Sequence, residues 1–274
     1  MVVTRSLATS TKNRATKKIK KLTMSFFKIN KKDKKSQKEL YPEIVEAGGL
    51  SYALNREFEK LNSNLRVIID EDLTNKLPFS YSRVEHKNKF SQIYIAAEEK
   101  LYLPDYWREG VCLAHGKTEE IELVAESLDY WLTSEQKTNL LSERFKFVIP
   151  DKKAVIFDNN KEVEYTWNLI LNDQNRKEIK NFVKLAIKDE ILKTLFPFTS
   201  LMTLCFSRCT GFPYTYDTPT VSPTLTGEYI IRLGHDKIIG QGSAIEAIKI
   251  VKDNLPKDIK PAIKGTADDL KIYD

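Results

Sequence analysis

The spacing of apolar residues changes several times along this chain of 274 residues. An apolar side chain at every second position indicates a strand, whereas spacings of three and four indicate a helix. Short strand-like runs lie over 65–114, helical spacing covers 118–195, and strand spacing returns from 200 until a last helical stretch over 243–255. Strands, then helices, then strands with a helix predict an α+β fold with mostly antiparallel sheets in a single compact body.

Individual elements follow from the same patterns. Apolar residues over 44–61 predict helical structure interrupted at Gly48, and Thr118 is the expected N-cap of the first long helix. Ser243 and Glu246 form an S-x-x-E capping box, which predicts a helix start. The predicted strands cover 65–70, 79–84, 90–97, 100–103, 111–114, 200–208, 228–233 and 237–239, the last two forming a hairpin, and further helices follow Ser134 and cover 162–171 and 176–195.

Charge divides the chain into a basic segment and a mildly acidic remainder. Residues 1–40 hold 13 Lys and Arg and 2 acids, so the remaining residues carry 31 basic and 36 acidic side chains. A wholly basic nucleic-acid-binding domain is thereby excluded, and nucleic-acid binding is left only to the 1–40 tail. The tail is interpreted as a disordered basic arm, with a transit peptide or an upstream start before Met24 as alternatives.

Composition bounds the remaining organisation. Residues 41–274 are expected to form one α+β domain, with possible sub-regions at 41–117 and 118–274. No stretch approaches about 18 consecutive apolar residues, so no membrane partner is expected. Three cysteines are an odd and sparse count, which favours a reducing, cytoplasmic location over a disulfide framework.

One segment of low charge stands out as a candidate site. Arg208 is the single charged residue over 194–216, and on a strand it would continue the stripe of Met202, Leu204 and Phe206. A guanidinium in such surroundings needs an anionic or carbonyl partner. That partner is either internal, with Asp217 the nearest acid, or a ligand carboxylate or phosphate. The candidate ligand-binding residues are therefore Arg208 with Phe206, Phe212, Tyr214, Tyr216 and Asp217.

Cysteine chemistry is the weaker candidate. Cys209, Cys205 and Arg208 are the weak catalytic candidates, the thiols as nucleophiles and the arginine to orient an anionic substrate. Cys112 and His115 have C-x2-H spacing and Cys205 and Cys209 C-x3-C spacing, which raises zinc as a hypothesis. Residues four apart on a strand lie about 13 Å from each other, so we expect no metal, and no motif indicates a cofactor.

Several segments resemble a family of uncharacterised bacterial proteins, known mainly from actinomycetes and labelled as natural product biosynthesis proteins. The most specific are FPFTS at 196–200 and FSRCTGFP at 206–213. Weaker ones follow the same order, namely AGGL at 47–50, LY at 101–102 with YW at 106–107, WL at 131–132, EYTW at 164–167 and GTADDL at 265–270. The resemblance covers roughly 41–270 and implies a link to specialised metabolism, but no reaction and no catalytic residue.

Three functions remain open from the sequence. The first is an accessory, ligand-binding protein of natural product biosynthesis with an anion pocket at Arg208. The second is an enzyme that modifies a small molecule with Cys209, Cys205 or Arg208. The third is an interaction protein, such as an immunity or toxin-neutralising partner, whose acidic body would suit a basic protein.

Overall fold

The computed structural model describes residues 35–67, 79, 81–234 and 236–271. Within them it contains two antiparallel sheets of five strands each and ten α-helices. The predicted α+β class with mostly antiparallel sheets is therefore confirmed. Residues 1–34 of the basic tail and the predicted strand positions 68–70 lie outside the described residues, as do 71–78, 80, 235 and 272–274.

The first sheet has the simple order β1-β2-β3-β4-β5. Alternating burial along β2 and β3 shows that one face of this sheet meets the core. Its strands are β1 (Tyr81–His86), β2 (Lys89–Ile95), β3 (Tyr102–Arg108), β4 (Val111–Gly116) and β5 (Val148–Pro150). Its helices are α1 (Gln37–Leu40), α2 (Pro42–Ala47), α3 (Leu50–Lys60), α4 (Ile121–Thr133), α5 (Thr138–Arg144) and α6 (Ala154–Asp158).

Helix α4 covers the inner face of the first sheet because its apolar stripe faces β3. Tyr106 on β3 shares a 2.7 Å hydrogen bond with Ser127 on α4, and its ring lies edge-on to Trp131. Tyr106 pairs with Ala114 on β4, and both residues are fully buried. Since paired residues share a face, this pair marks the inner face of the sheet.

The second sheet has the order β10-β9-β8-β7-β6. It consists of β6 (Phe196–Ser200), β7 (Thr203–Ser207), β8 (Thr220–Pro223), β9 (Tyr229–Leu233) and β10 (Lys237–Gly242), with helices α7 (Glu162–Asn172), α8 (Lys180–Ala186), α9 (Ala244–Asp253) and α10 (Ala267–Leu270). The predicted hairpin is confirmed as β9 and β10. The capping box is also confirmed, with Ser243 Oγ and Glu246 bonded reciprocally at the start of α9.

Two hydrophobic clusters underlie the two sheets. The first holds the inner face of β1–β4 with α2–α6 and ends at Phe157. The second begins at Trp167 and holds α7, α8 and α9 against β7–β9. The boundary between the two hydrophobic clusters therefore lies near residue 160. Helices α4 and α5 follow residue 117 in the chain but still pack on the first sheet.

Several predicted boundaries are wrong. Residues 65–67 form no strand. The backbone of Thr118 pairs with Tyr102 in an isolated bridge, so α4 begins only after Glu120. The predicted helix over 176–195 is divided into a 3-10 turn (Lys177–Ile179), α8 and a second 3-10 turn (Leu192–Thr194). The predicted strand over 200–208 contains a turn at Leu201, whose φ is 54°, and its first residue belongs to β6.

Candidate functional site

The segment after β7 folds back on the strand that precedes it. Ser207 Oγ accepts hydrogen bonds from the backbone N–H groups of Cys209, at 3.0 Å, and Thr215, at 3.2 Å. The N–H of Arg208 donates to Thr215 Oγ1 at 2.9 Å. Thr218 Oγ1 donates to the carbonyl of Phe206 at 2.8 Å. Buried hydroxyls therefore satisfy the backbone where the strand ends and fix the position of Arg208.

The segment is also clamped by the C-terminal part of the chain. The Ile263 N–H donates to the Arg208 carbonyl at 2.9 Å, and the Thr210 N–H donates to the Ile263 carbonyl at 3.0 Å. The Gly211 N–H donates to the Gly265 carbonyl at 2.7 Å. FSRCTGFP at 206–213 and GTADDL at 265–270, two of the segments that carry the family resemblance, are therefore in direct contact.

Gly211 lies at the tightest point of this junction. A Cβ atom built on it would lie 1.7 Å from the carbonyl oxygen of Glu109 and 2.9 Å from that of Gly265. Next to it, the Phe212 N–H donates to the Gly110 carbonyl at 3.1 Å. Only glycine permits this approach of three backbone segments, which joins the loop after β7 to the β3–β4 turn of the first sheet.

Arg208 has the internal partner that the sequence suggested as one alternative. Its Nε donates to Asp217 Oδ2 at 2.7 Å. The side chains of Arg208 and Asp217 are 23% and 37% exposed, so the pair lies at the surface edge of the loop. This bond restrains the orientation of the planar guanidinium at the surface of the loop.

A cavity of about 460 Å³ opens beside Arg208. One side of it is the 256–263 segment, which carries Lys257, Asp258 and Lys260, and the apolar part of its wall includes Ile263 and the buried Leu270. Among the described residues, three cations and one acid line it, which gives this part of the wall a positive balance. No sequence pattern indicates the two lysines, because they lie about fifty residues downstream of Arg208 in a polar stretch without a motif.

The predicted aromatic residues do not join Arg208 in this cavity. Phe206 is buried against Trp167 and Phe182 in the second core. Tyr214 stacks on Phe198 of β6 with ring centroids 4.5 Å apart. Tyr216 contacts Phe198 edge-on. Phe212 is 62% exposed and lines a different cavity beside the first sheet. Most of these aromatics are thus explained by packing against the second sheet.

All three cysteines are free and buried. Burial raises the pKa of Cys205 to about 11 and also raises the pKa of Cys209. The Cys209 sulfur lies within hydrogen-bonding distance of Ser207 Oγ, at 3.2 Å, and of two backbone carbonyls. Because the thiolate is the nucleophile, these environments disfavour attack by either cysteine at neutral pH.

Cys112 and His115 lie together on the first sheet with Asp105, which the sequence analysis did not single out. One ligand atom from each of the three residues lies within 4.8 Å of the other two. Cys205 and Cys209 do not belong to any such group among the described residues. The strand-spacing argument against zinc therefore applies to the C-x3-C pair but not to Cys112 and His115.

Lys89 is a buried cation that no sequence pattern indicates. Its ammonium group donates to the carbonyls of Trp131 and Ser134 at the end of α4 and lies 4.4 Å from the Trp131 ring centroid. A cation is favourable at the C-terminal end of a helix. Burial nevertheless lowers the pKa of Lys89 to about 8.

These features define an α+β protein with two antiparallel sheets and a basic cavity beside the C-terminal end of β7. Residues 161–266 match the model of a family of unknown function (DUF6193). The match spans α7 to the start of the 265–270 segment, so it includes Arg208 and most of its cavity. No curated protein and no solved structure matches the chain. Among the described residues, no helix is long and apolar enough to cross a bilayer.

Proposed function

We propose that this protein is an accessory protein that binds a small carboxylate or phosphate in the cavity beside Arg208. The observation that carries the proposal is the composition of the cavity wall. Arg208, Lys257 and Lys260 line a 460 Å³ space whose wall also includes Ile259, Ile263 and Leu270. Ligand sites typically combine an apolar wall with a few convergent polar groups, as this cavity does.

The ion pair with Asp217 supports an orienting role for Arg208. A planar guanidinium matches the two oxygens of a carboxylate or phosphate, but only if its plane is fixed. The bond from Nε to Asp217 fixes that plane, and the bond from the Arg208 N–H to Thr215 fixes the backbone below it. Lys257 and Lys260 are exposed, so they contribute positive charge to the cavity but do not orient a ligand.

The chemical context of the ligand is a proposal based on the family resemblance. The segments at 206–213 and 265–270 resemble proteins labelled as natural product biosynthesis proteins, and both contribute to the cavity wall through Arg208 and Leu270. An acidic precursor or intermediate of such a pathway would carry the carboxylate or phosphate that this cavity suits. The resemblance supports a bacterial origin, and the three free cysteines support a cytoplasmic location.

Isothermal titration of the full chain with inorganic phosphate and with succinate tests this proposal. We expect one site per chain, and at least a tenfold rise in Kd on Arg208→Ala. The Lys257→Ala/Lys260→Ala variant should weaken binding less and make it less sensitive to salt. Arg56→Ala is the matched control, because Arg56 also forms an ion pair with an acid but lies on α3.

The control separates a site from general charge attraction. Arg208→Ala and Arg56→Ala remove the same charge, so an equal effect on Kd would show that the anions bind only through the net charge. Absence of binding by both anions would overturn the proposed site. Arg208→Lys keeps the charge and loses the planar fork, so an intermediate Kd is expected.

A further inference from the structure

A mixed set of ligand atoms converges on the outer face of the first sheet. His115 Nδ1 lies 2.7 Å from Asp105 Oδ1, and Cys112 Sγ lies 3.9 Å from both nitrogens of the His115 ring. Cys112 is buried, Asp105 has a side chain that is 25% exposed, and the His115 side chain is 58% exposed. The set is therefore buried at the sulfur and open to solvent at the imidazole.

A β-bulge brings Cys112 and His115 to the same face. Residues three apart on a regular strand point to opposite faces. The register between β3 and β4 shifts, so Trp107 pairs with Cys112 while Tyr106 pairs with Ala114, and Leu113 is the extra residue. His115 then pairs with Asp105, on the face opposite the buried Tyr106–Ala114 pair. Bulges commonly re-aim side chains in this way beside functional sites.

The spacing of the three atoms suits a metal ion. Zinc takes thiolate, imidazole and carboxylate ligands at about 2.0–2.3 Å in a tetrahedron, which separates sulfur and nitrogen by roughly 3.5 Å. The observed sulfur–nitrogen separation is 3.9 Å, and Nδ1 is bonded to Asp105 at 2.7 Å, so the exposed imidazole must turn away from Asp105 and point one nitrogen at the shared ion. A set of one sulfur, one nitrogen and one oxygen is borderline-soft, which favours zinc over magnesium or calcium.

We propose that Asp105, Cys112 and His115 bind a single zinc ion, with solvent as the fourth ligand. Three protein ligands and one open position are typical of zinc sites that interact with a further ligand. A Cys-His-Asp catalytic triad fits the same residues less well. The sulfur is equidistant from the two ring nitrogens, so it is not aligned with one nitrogen lone pair as a general base requires. The site is separate from the Arg208 cavity.

Cobalt(II) is the probe for this site, because cobalt–thiolate bonds give a charge-transfer absorption band in the near ultraviolet. The full chain without a histidine tag is titrated with Co²⁺ and then with Zn²⁺. We expect the band to saturate at one ion per chain and to disappear when zinc displaces cobalt. Cys112→Ser should abolish the band, and His115→Gln and Asp105→Asn should each weaken metal binding at least tenfold.

The controls match the ligands in type. Cys205→Ala removes a buried thiol of the second sheet, and His86→Gln removes an exposed histidine of β1, so neither should change the band. If Cys112→Ser fails to fold, His115→Gln decides, because its exposed side chain is replaced without loss of packing. A wild-type chain without the band, a band that persists in Cys112→Ser, or unchanged affinity in His115→Gln would each overturn the proposal.

Discussion

Arg208 and Asp217 form a hydrogen-bonded ion pair, with Nε of the guanidinium 2.7 Å from Oδ2 of the carboxylate. The single charge over 194–216 is thus balanced by the first acid that follows it in sequence. The loop between them returns to β7 through Thr215, which accepts the N–H of Arg208. The pair therefore closes the loop and at the same time orients the guanidinium at the cavity.

Asp217→Asn tests these two roles together. The pair is partly exposed, so we expect a loss of only about 0.5–1 kcal/mol in the free energy of unfolding, measured with urea. Asparagine keeps an oxygen that accepts the Nε–H but removes the negative charge, so phosphate binding should also tighten about fivefold, since a charge about 4 Å away is worth about 1 kcal/mol in water. Weaker phosphate binding in the variant would show instead that orientation by Asp217 dominates.

Gly211→Ala is expected to disrupt the junction between the loop after β7 and the β3–β4 turn. The added methyl group would overlap the Glu109 carbonyl, so the backbone must move, at a cost of about 3 kcal/mol. Gly227→Ala is the control, because nothing lies within 4 Å of its Cβ and its φ of 83° alone should cost about 1 kcal/mol. Equal losses in urea unfolding would refute the close approach at Gly211.

The buried Lys89 predicts a pH dependence of stability. Its pKa is about 8 in the folded chain and 10.5 without burial, so between these values the unfolded chain binds more protons. Stability should therefore rise with pH in this window, by about 1–2 kcal/mol relative to Lys89→Met between pH 8 and 10. Urea unfolding of both chains at several pH values measures the difference. Parallel pH profiles would contradict a lowered pKa at Lys89.

Thiol labelling tests the enzyme hypothesis that relied on Cys209 or Cys205. Burial raises the pKa of both thiols, so each should react with iodoacetamide at pH 7 at least tenfold more slowly in the folded chain than in urea. Mass spectrometry of digested protein assigns the rates to individual cysteines. A folded-state rate above that in urea at either position would restore the nucleophile hypothesis.

The elements that the sequence predicted well are those with local signals. The S-x-x-E box at Ser243 and the turn at Gly234 specify their structure within a few residues, and both are present. The division of the β6–β7 hairpin was missed because its turn at Leu201 uses positive φ without glycine or asparagine. Thr118 was misplaced because pairing with distant Tyr102 outweighs its preference for an N-cap.

Only part of the candidate site could be predicted from the sequence, because long-range contacts leave no local signal. Arg208 and Asp217 could be paired because they are near in sequence and isolated from other charges. Lys257 and Lys260 could not be assigned, because the contacts of Ile263 with Arg208 and Thr210 that bring their segment to Arg208 are long-range. Asp105 was missed because its partners depend on strand register and on a bulge, which change the face of a side chain without any local signal.

The position of a bound oxyanion in a crystal tests the proposed anion site at Arg208. Crystals of the full chain soaked in tungstate, an electron-dense tetrahedral anion, would show its position in an anomalous difference map. We expect a peak within hydrogen-bonding distance of the Arg208 guanidinium, in the cavity lined by Lys257 and Lys260, that is lost in Arg208→Ala crystals. Tungstate bound elsewhere on the chain while this cavity stays free of it would rule out the proposed anion site.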